Sequence, residues 1–105
     1  MADVFDLGRG TTPLVPIEVQ GVNLEEVDVM WLTFKQGNVE ITKELSDVTI
    51  IGNEIHAYFT QEETLRFKDS SRIYVQMRFM IGNHADKSNV ATVECSGILR
   101  EGVIS

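Results

Sequence analysis

Two histidines, one cysteine and sixteen acidic side chains are the groups in this 105-residue chain that could do chemistry. Their spacing joins none of them into a working set. His56 alternates with Glu54 and Tyr58, which places it on the outward face of a strand. His84 lies in Asn83-His84-Ala85-Asp86-Lys87, a polar stretch that reads as a solvated loop. Neither a His-x-x-x-His nor a Cys-x-x-Cys spacing is present, so no zinc site is expected. Cys95 stands alone; a disulfide framework is excluded and a buried or half-buried strand thiol is expected. Glu25, Glu26 and Asp28 gather ahead of Trp31, and Glu40 and Glu44 alternate along one face. A glycosidase needs two carboxyls across a cleft and calcium favours an Asp-x-Asn-x-Asp-Gly run, so these acids read as solvated surface. Gly8-Arg9-Gly10-Thr11-Thr12 has the glycine content of a phosphate loop but lacks the Gly-Lys-Ser/Thr ending, and a strand follows it. Neither an enzyme nor a bound cofactor or metal is expected.

Aromatic residues offer a different chemistry. Trp31, Tyr58 and Tyr74 would form a sugar-stacking platform if they were exposed together. Trp31, however, lies in a segment apolar on both sides and is expected in the core.

The elements that must carry these residues are strands. Ile73, Val75, Met77, Phe79 and Ile81 alternate with Tyr74, Gln76, Arg78 and Met80, a period-two pattern that would scatter around a helix. From Val27 to Lys35, Met30, Leu32 and Phe34 oppose Val27, Val29 and Trp31, the signature of a central strand. Val39 to Leu45, Val48 to Ile51, Glu54 to Phe59 and Asn89 to Cys95 complete the set, with Pro13 and Pro16 marking Leu14 to Gln20 as an edge strand. Gly37-Asn38 and Gly52-Asn53 predict tight hairpins, whereas Gly82-Asn83 opens a loop reaching Ser88. Thr60-Gln61-Glu62-Glu63 has the form of a capping box, so one or two helical turns are expected within residues 61–67, ended by Lys68-Asp69-Ser70-Ser71. Leu65 or Phe67 would plug one end of the fold. The sum is an all-β, antiparallel β-sandwich of immunoglobulin-like shape with about seven strands; a closed barrel is the alternative. Residues 1–12 read as a flexible N-terminal arm and 13–105 as the single domain.

Composition bounds the partners. The formal net charge is −7, with 43% apolar and 24% charged residues. An acidic globular chain is a poor match for nucleic acid or an anionic membrane. Arg66, Lys68, Arg72 and Arg78 come nearest to a basic patch, but Glu62, Glu63 and Asp69 interrupt it. Met1-Ala-Asp-Val-Phe-Asp has no basic or apolar leader character, and no apolar run is long enough to span a bilayer, so a soluble chain made in the cytoplasm is expected.

The order of features is more informative than any one of them. Arg9-Gly-Thr-Thr-Pro13 enters a strand, Val27-Asp-Val-Met-Trp-Leu-Thr-Phe-Lys-Gln-Gly37 follows, and a Gly-Asn hairpin leads to Glu54–Thr60. Thr60-Gln-Glu-Glu-Thr-Leu65, the strand Ile73–Met80 and Ser88-Asn-Val-Ala-Thr-Val complete it. This order, from about Leu7 to Val103, resembles small phage and prophage structural proteins of Gram-positive bacteria. It is also similar to the N-terminal immunoglobulin-like domain of phage upper baseplate proteins. Pro16 and Glu18-Val-Gln-Gly21 depart from a smooth first strand, and no long C-terminal region follows. The resemblance implies a tail- or baseplate-associated, virion-associated protein that packs against other virion proteins or copies of itself, with no catalytic residues to carry over. Arg9, Thr11, Tyr58, Tyr74, His84 and Asp86 are the expected interaction surface, and no small-molecule ligand is expected. The alternative from another class is a host-surface glycan-binding module built on Tyr58, Tyr74 or Trp31 with the Asn83–Ser88 loop.

Overall fold

A computed structural model describes residues 5–69 and 71–105. The chain forms β1 (Asp6–Gly8), β2 (Leu14–Glu18), β3 (Val29–Gln36), β4 (Val39–Lys43), β5 (Val48–Ile51) and β6 (Glu54–Tyr58). A single helical turn and a half, α1 (Gln61–Leu65), then leads to β7 (Ile73–Ile81), β8 (His84–Lys87) and β9 (Ala91–Ser96). Two sheets result, one ordered β1-β9-β7-β3-β4 with β8 also on β7, the other β2-β6-β5. Neither closes into a barrel, and the fold is the expected all-β sandwich.

Alternation decides which side chains face inward. β3 directs Met30, Leu32 and Phe34 to the core, and β7 directs Ile73, Val75, Met77 and Phe79 to the same side. From the smaller sheet Val15, Ile55, Ala57 and Phe59 meet them. The rings of Phe34 and Phe59 touch edge to face, centroids 4.8 Å apart, and pin one sheet to the other. Phe67, just beyond α1, is the residue that plugs the end; it is fully buried beside Phe59. The capping box at α1 is present: the Thr60 hydroxyl accepts from the Glu63 amide at 3.2 Å, and a Glu63 oxygen accepts from the Thr60 amide at 2.9 Å.

Three differences from the sequence-based expectation stand out. Nine strands are found among the described residues, and the two extra ones are β1 and β8. The segment expected to be a flexible arm supplies β1, which pairs parallel with β9, so the sheet is not purely antiparallel. Leu7 is fully buried there, while residues 1–4 lie outside the described residues. Ser70, in the expected helix stop, lies outside them too.

The loop expected from Gly82 to Ser88 is a third hairpin. Ile81 pairs with His84 across Gly82-Asn83, as Gln36 pairs with Val39 and Ile51 with Glu54 across the other two Gly-Asn turns. Gly37, Gly52 and Gly82 all have φ of 57–60°, the left-handed conformation a two-residue primed turn demands at its first position. The returning strand holds one register against β7 through Lys87 and a register shifted by one residue from Ala91 onward. A bulge at 88–90 absorbs the extra residue, with Met77 donating its N–H to the Ser88 hydroxyl.

Trp31 faces outward, not into the core. It lies on the central strand as expected, but 49% of its surface is exposed. It pairs with Arg78 of β7 and therefore shares that strand's outward face.

Candidate functional site: the outer face of the larger sheet

Registers fix what this face presents. Val29, Met80 and Ala85 form one cross-strand row on β3, β7 and β8. Trp31, Arg78 and Lys87 form the next. Thr33 lies between Thr42 of β4 and Gln76 of β7, and Lys35 between Glu40 and Tyr74. Glu44, one residue past β4, lies beside Trp31 in the same shallow groove. The face is thus apolar toward the Gly82 turn and polar toward the other end. Val29 is 50% exposed and Met80 37%, and a depression of about 400 Å³ lies over them.

Two local arrangements shape its electrostatics. The Arg78 guanidinium stands over the Trp31 ring, 5.4 Å from its centroid, a cation–π contact that holds both side chains against the sheet. Arg78 also sits directly across from Lys87, and like charges in that position destabilise a strand pair. Among the described residues neither cation has an ion-pair partner within its own chain.

The residues expected to form an interaction surface do not come together. Tyr74 lies on this face, two rows from Trp31. Tyr58 is on the outer face of the smaller sheet, paired with Leu14. His84 and Asp86 are exposed on β8 rather than in a loop, 3.7 Å apart. Arg9 is turned inward: its Nε donates to the Phe67 carbonyl at 2.6 Å and a terminal nitrogen to the Leu65 carbonyl at 2.9 Å. Its other terminal nitrogen meets Glu101. That contact raises the guanidinium above its ordinary value and holds the exposed Glu101 carboxyl below the usual range. Thr11 closes a local turn on the Gly8 carbonyl. Arg9 is therefore an anchor of β1, whereas Thr11 stays exposed beside it.

Ionisable groups also converge in a hollow of about 470 Å³ over the smaller sheet that touches Lys43, Asp47, His56 and Glu63. Each is already engaged. Lys43, directed inward at the end of β4, donates to both Glu63 oxygens at 2.8 Å and sits 4.7 Å from the Phe59 ring centroid. Burial pushes the Glu63 carboxyl up, but Lys43 and the Thr60 amide outweigh it and hold it below the ordinary value. His56 meets Glu54 at 3.0 Å, and Asp47 accepts from the Glu44 amide. This chemistry is structural: it ties β4 to α1. Burial pushes the Cys95 thiol up, away from the thiolate form a nucleophile requires.

Sequence reasoning missed Val29, Arg78, Met80 and Lys87 as a group. The available signal was the polar side of the Ile73–Ile81 alternation, which carries Arg78; pairing it with the Trp31 strand would have turned Trp31 outward. Compared with known protein families, curated proteins and solved structures, the chain matches none.

Proposed function

We propose that this chain is a structural packing module of a phage or prophage particle, tail- or baseplate-associated, that works by laying the outer face of its larger sheet on protein. The observation that carries the packing role is the exposed row of Val29 and Met80 beside Trp31 on a rigid sheet, where folding alone gives no reason to display them. The particle setting rests on the order of strands, turns and capped helix from Leu7 to Val103. Purified particles from the source phage or induced prophage are expected to contain the chain, and Trp31→Glu is expected to remove it from them without unfolding it. Particles that lack the wild-type chain refute the reading.

A glycan-binding module is favoured by one observation, the exposed indole of Trp31. Against it, Arg78 lies over that ring and Tyr58 is on the opposite sheet, so the three aromatic residues do not form one platform. Titration with cell-wall sugars separates the two readings: Trp31 emission is expected to stay unchanged.

A further inference from the structure

Resting on the packing reading, we infer that the partner on this face is a second copy of the chain, related by a twofold axis running parallel to the strands between β3 and β7. Charges follow a definite order across the sheet. The second row reads Glu44, Trp31, Arg78, Lys87 from the β4 edge to the β8 edge: acid, aromatic, cation, cation. A twofold along the strands lays β3 on the partner's β7 and β4 on the partner's β8. Glu44 then meets a partner lysine and Trp31 a partner guanidinium, and by symmetry each contact occurs twice.

The other rows agree. Val29 falls on the partner's Met80, burying the apolar end against itself, and Lys35 falls on the partner's Tyr74. A twofold perpendicular to the strands does the reverse: it lays Lys35 on Val29 and leaves Glu44 opposite Thr42. The same pairing supplies a carboxylate to Lys87, relieving its direct opposition to Arg78 within one chain.

Aligned face-to-face packing is a standard arrangement for twisted sheets. The four strands and four rows cover roughly 19 by 25 Å, or about 500 Å² per copy, from ordinary strand spacing and rise. The total, roughly 1,000 Å², is near the lower limit for a specific interface, so the dimer is weak and concentration-dependent.

Sedimentation equilibrium between about 10 μM and 1 mM brackets the affinity such an interface supports. The mass is expected to rise from 11.8 kDa toward twice that value, with Trp31 emission shifting to the blue in step. Glu44→Lys and Lys87→Glu each place like charges across the interface and are expected to weaken association by roughly tenfold or more. The double variant restores opposite charges and is expected to recover association to within about threefold, because only the sign of each pair has changed. A wild-type chain that stays monomeric throughout, or a double variant no better than the singles, overturns the twofold arrangement. Failure here with Trp31-dependent incorporation into particles leaves the packing reading standing. Dimerisation with no chain in the particles refutes that reading alone.

Discussion

Lys43 shows how a single side chain can resist sequence reading. It ends a strand whose alternation turns it inward, and a lysine is among the residues least often buried. Its ammonium donates there to both Glu63 oxygens and lies against the Phe59 ring. The capping box at Thr60 was legible from four consecutive residues, but the second role of Glu63 was not, since its partner lies twenty positions away. Glu63→Gln removes the countercharge while leaving Lys43 buried, and is expected to cost about 2–3 kcal/mol at neutral pH. The pH dependence follows from the lowered Glu63 carboxyl. A depressed folded-state value means that the stabilisation is complete above the ordinary glutamate range. It fades as pH falls below 4.5 toward the lower folded value. Urea unfolding of wild type and Glu63→Gln should therefore differ most at neutral pH and converge in acid; a constant difference would show that the ion pair contributes nothing.

At the level of elements, all seven strands expected from the sequence are present, since each announces itself by alternation or a flanking turn. β1 and β8 show no apolar alternation, and the Gly82-Asn83 turn ahead of β8 leads into a polar segment that reads as a loop. β1 has three residues and gains its place from a parallel partner almost ninety positions along the chain. β8 reads His-Ala-Asp-Lys, with every residue exposed, and only its hairpin geometry makes it a strand. Charged, short edge strands guard against unwanted pairing, which is the reason the apolar signal is missing. Arg9 holds β1 through two main-chain carbonyls of the α1 region in a forked geometry that lysine cannot reproduce. Arg9→Lys is expected to cost about 1–2 kcal/mol and to speed amide exchange along β1 and β9 while the Trp31 face stays protected. Uniform exchange at wild-type rates would mean that β1 is held by Leu7 alone. On β7 the two faces can be tested against each other. Val75→Asp puts an unpaired charge among core residues and is expected to abolish cooperative folding, whereas Tyr74→Asp, one residue away, should shift stability by under about 1 kcal/mol at dilute concentration. A folded Val75→Asp variant would mean the faces are reversed.

The whole molecule explains why the candidate site was the least legible part. A strand apolar on both sides has two explanations: it is covered on both sides within its own domain, or one side is left for another molecule. Only the non-local pairing of β3 with β7 chooses between them, by placing Trp31 opposite Arg78. The same topology bears on how the domain unfolds. Its sheets exchange strands along the chain, since β2 belongs with β5 and β6 while β3 and β4 join β7, so neither sheet is a contiguous segment. Phe34 and Phe59, one from each sheet, meet at the centre of the shared core. Among the described residues no buried side-chain nitrogen or oxygen lacks a hydrogen-bond partner, leaving no weak polar seam between the layers. The sheets are therefore expected to unfold together. Thermal unfolding of dilute protein followed by circular dichroism and by Trp31 emission should give coincident midpoints. The emission change should be small, because the indole is already half in water. Phe59→Ala tests the coupling, with an expected cost of about 3–5 kcal/mol, a large share of the 5–15 kcal/mol or so that stabilises a domain. If the sheets share one core, both signals move to lower temperature by the same amount. If instead the Trp31 signal, which reports only the larger sheet, holds its midpoint while the rest of the fold melts early, the two sheets are separate units and the sandwich is not a single cooperative structure.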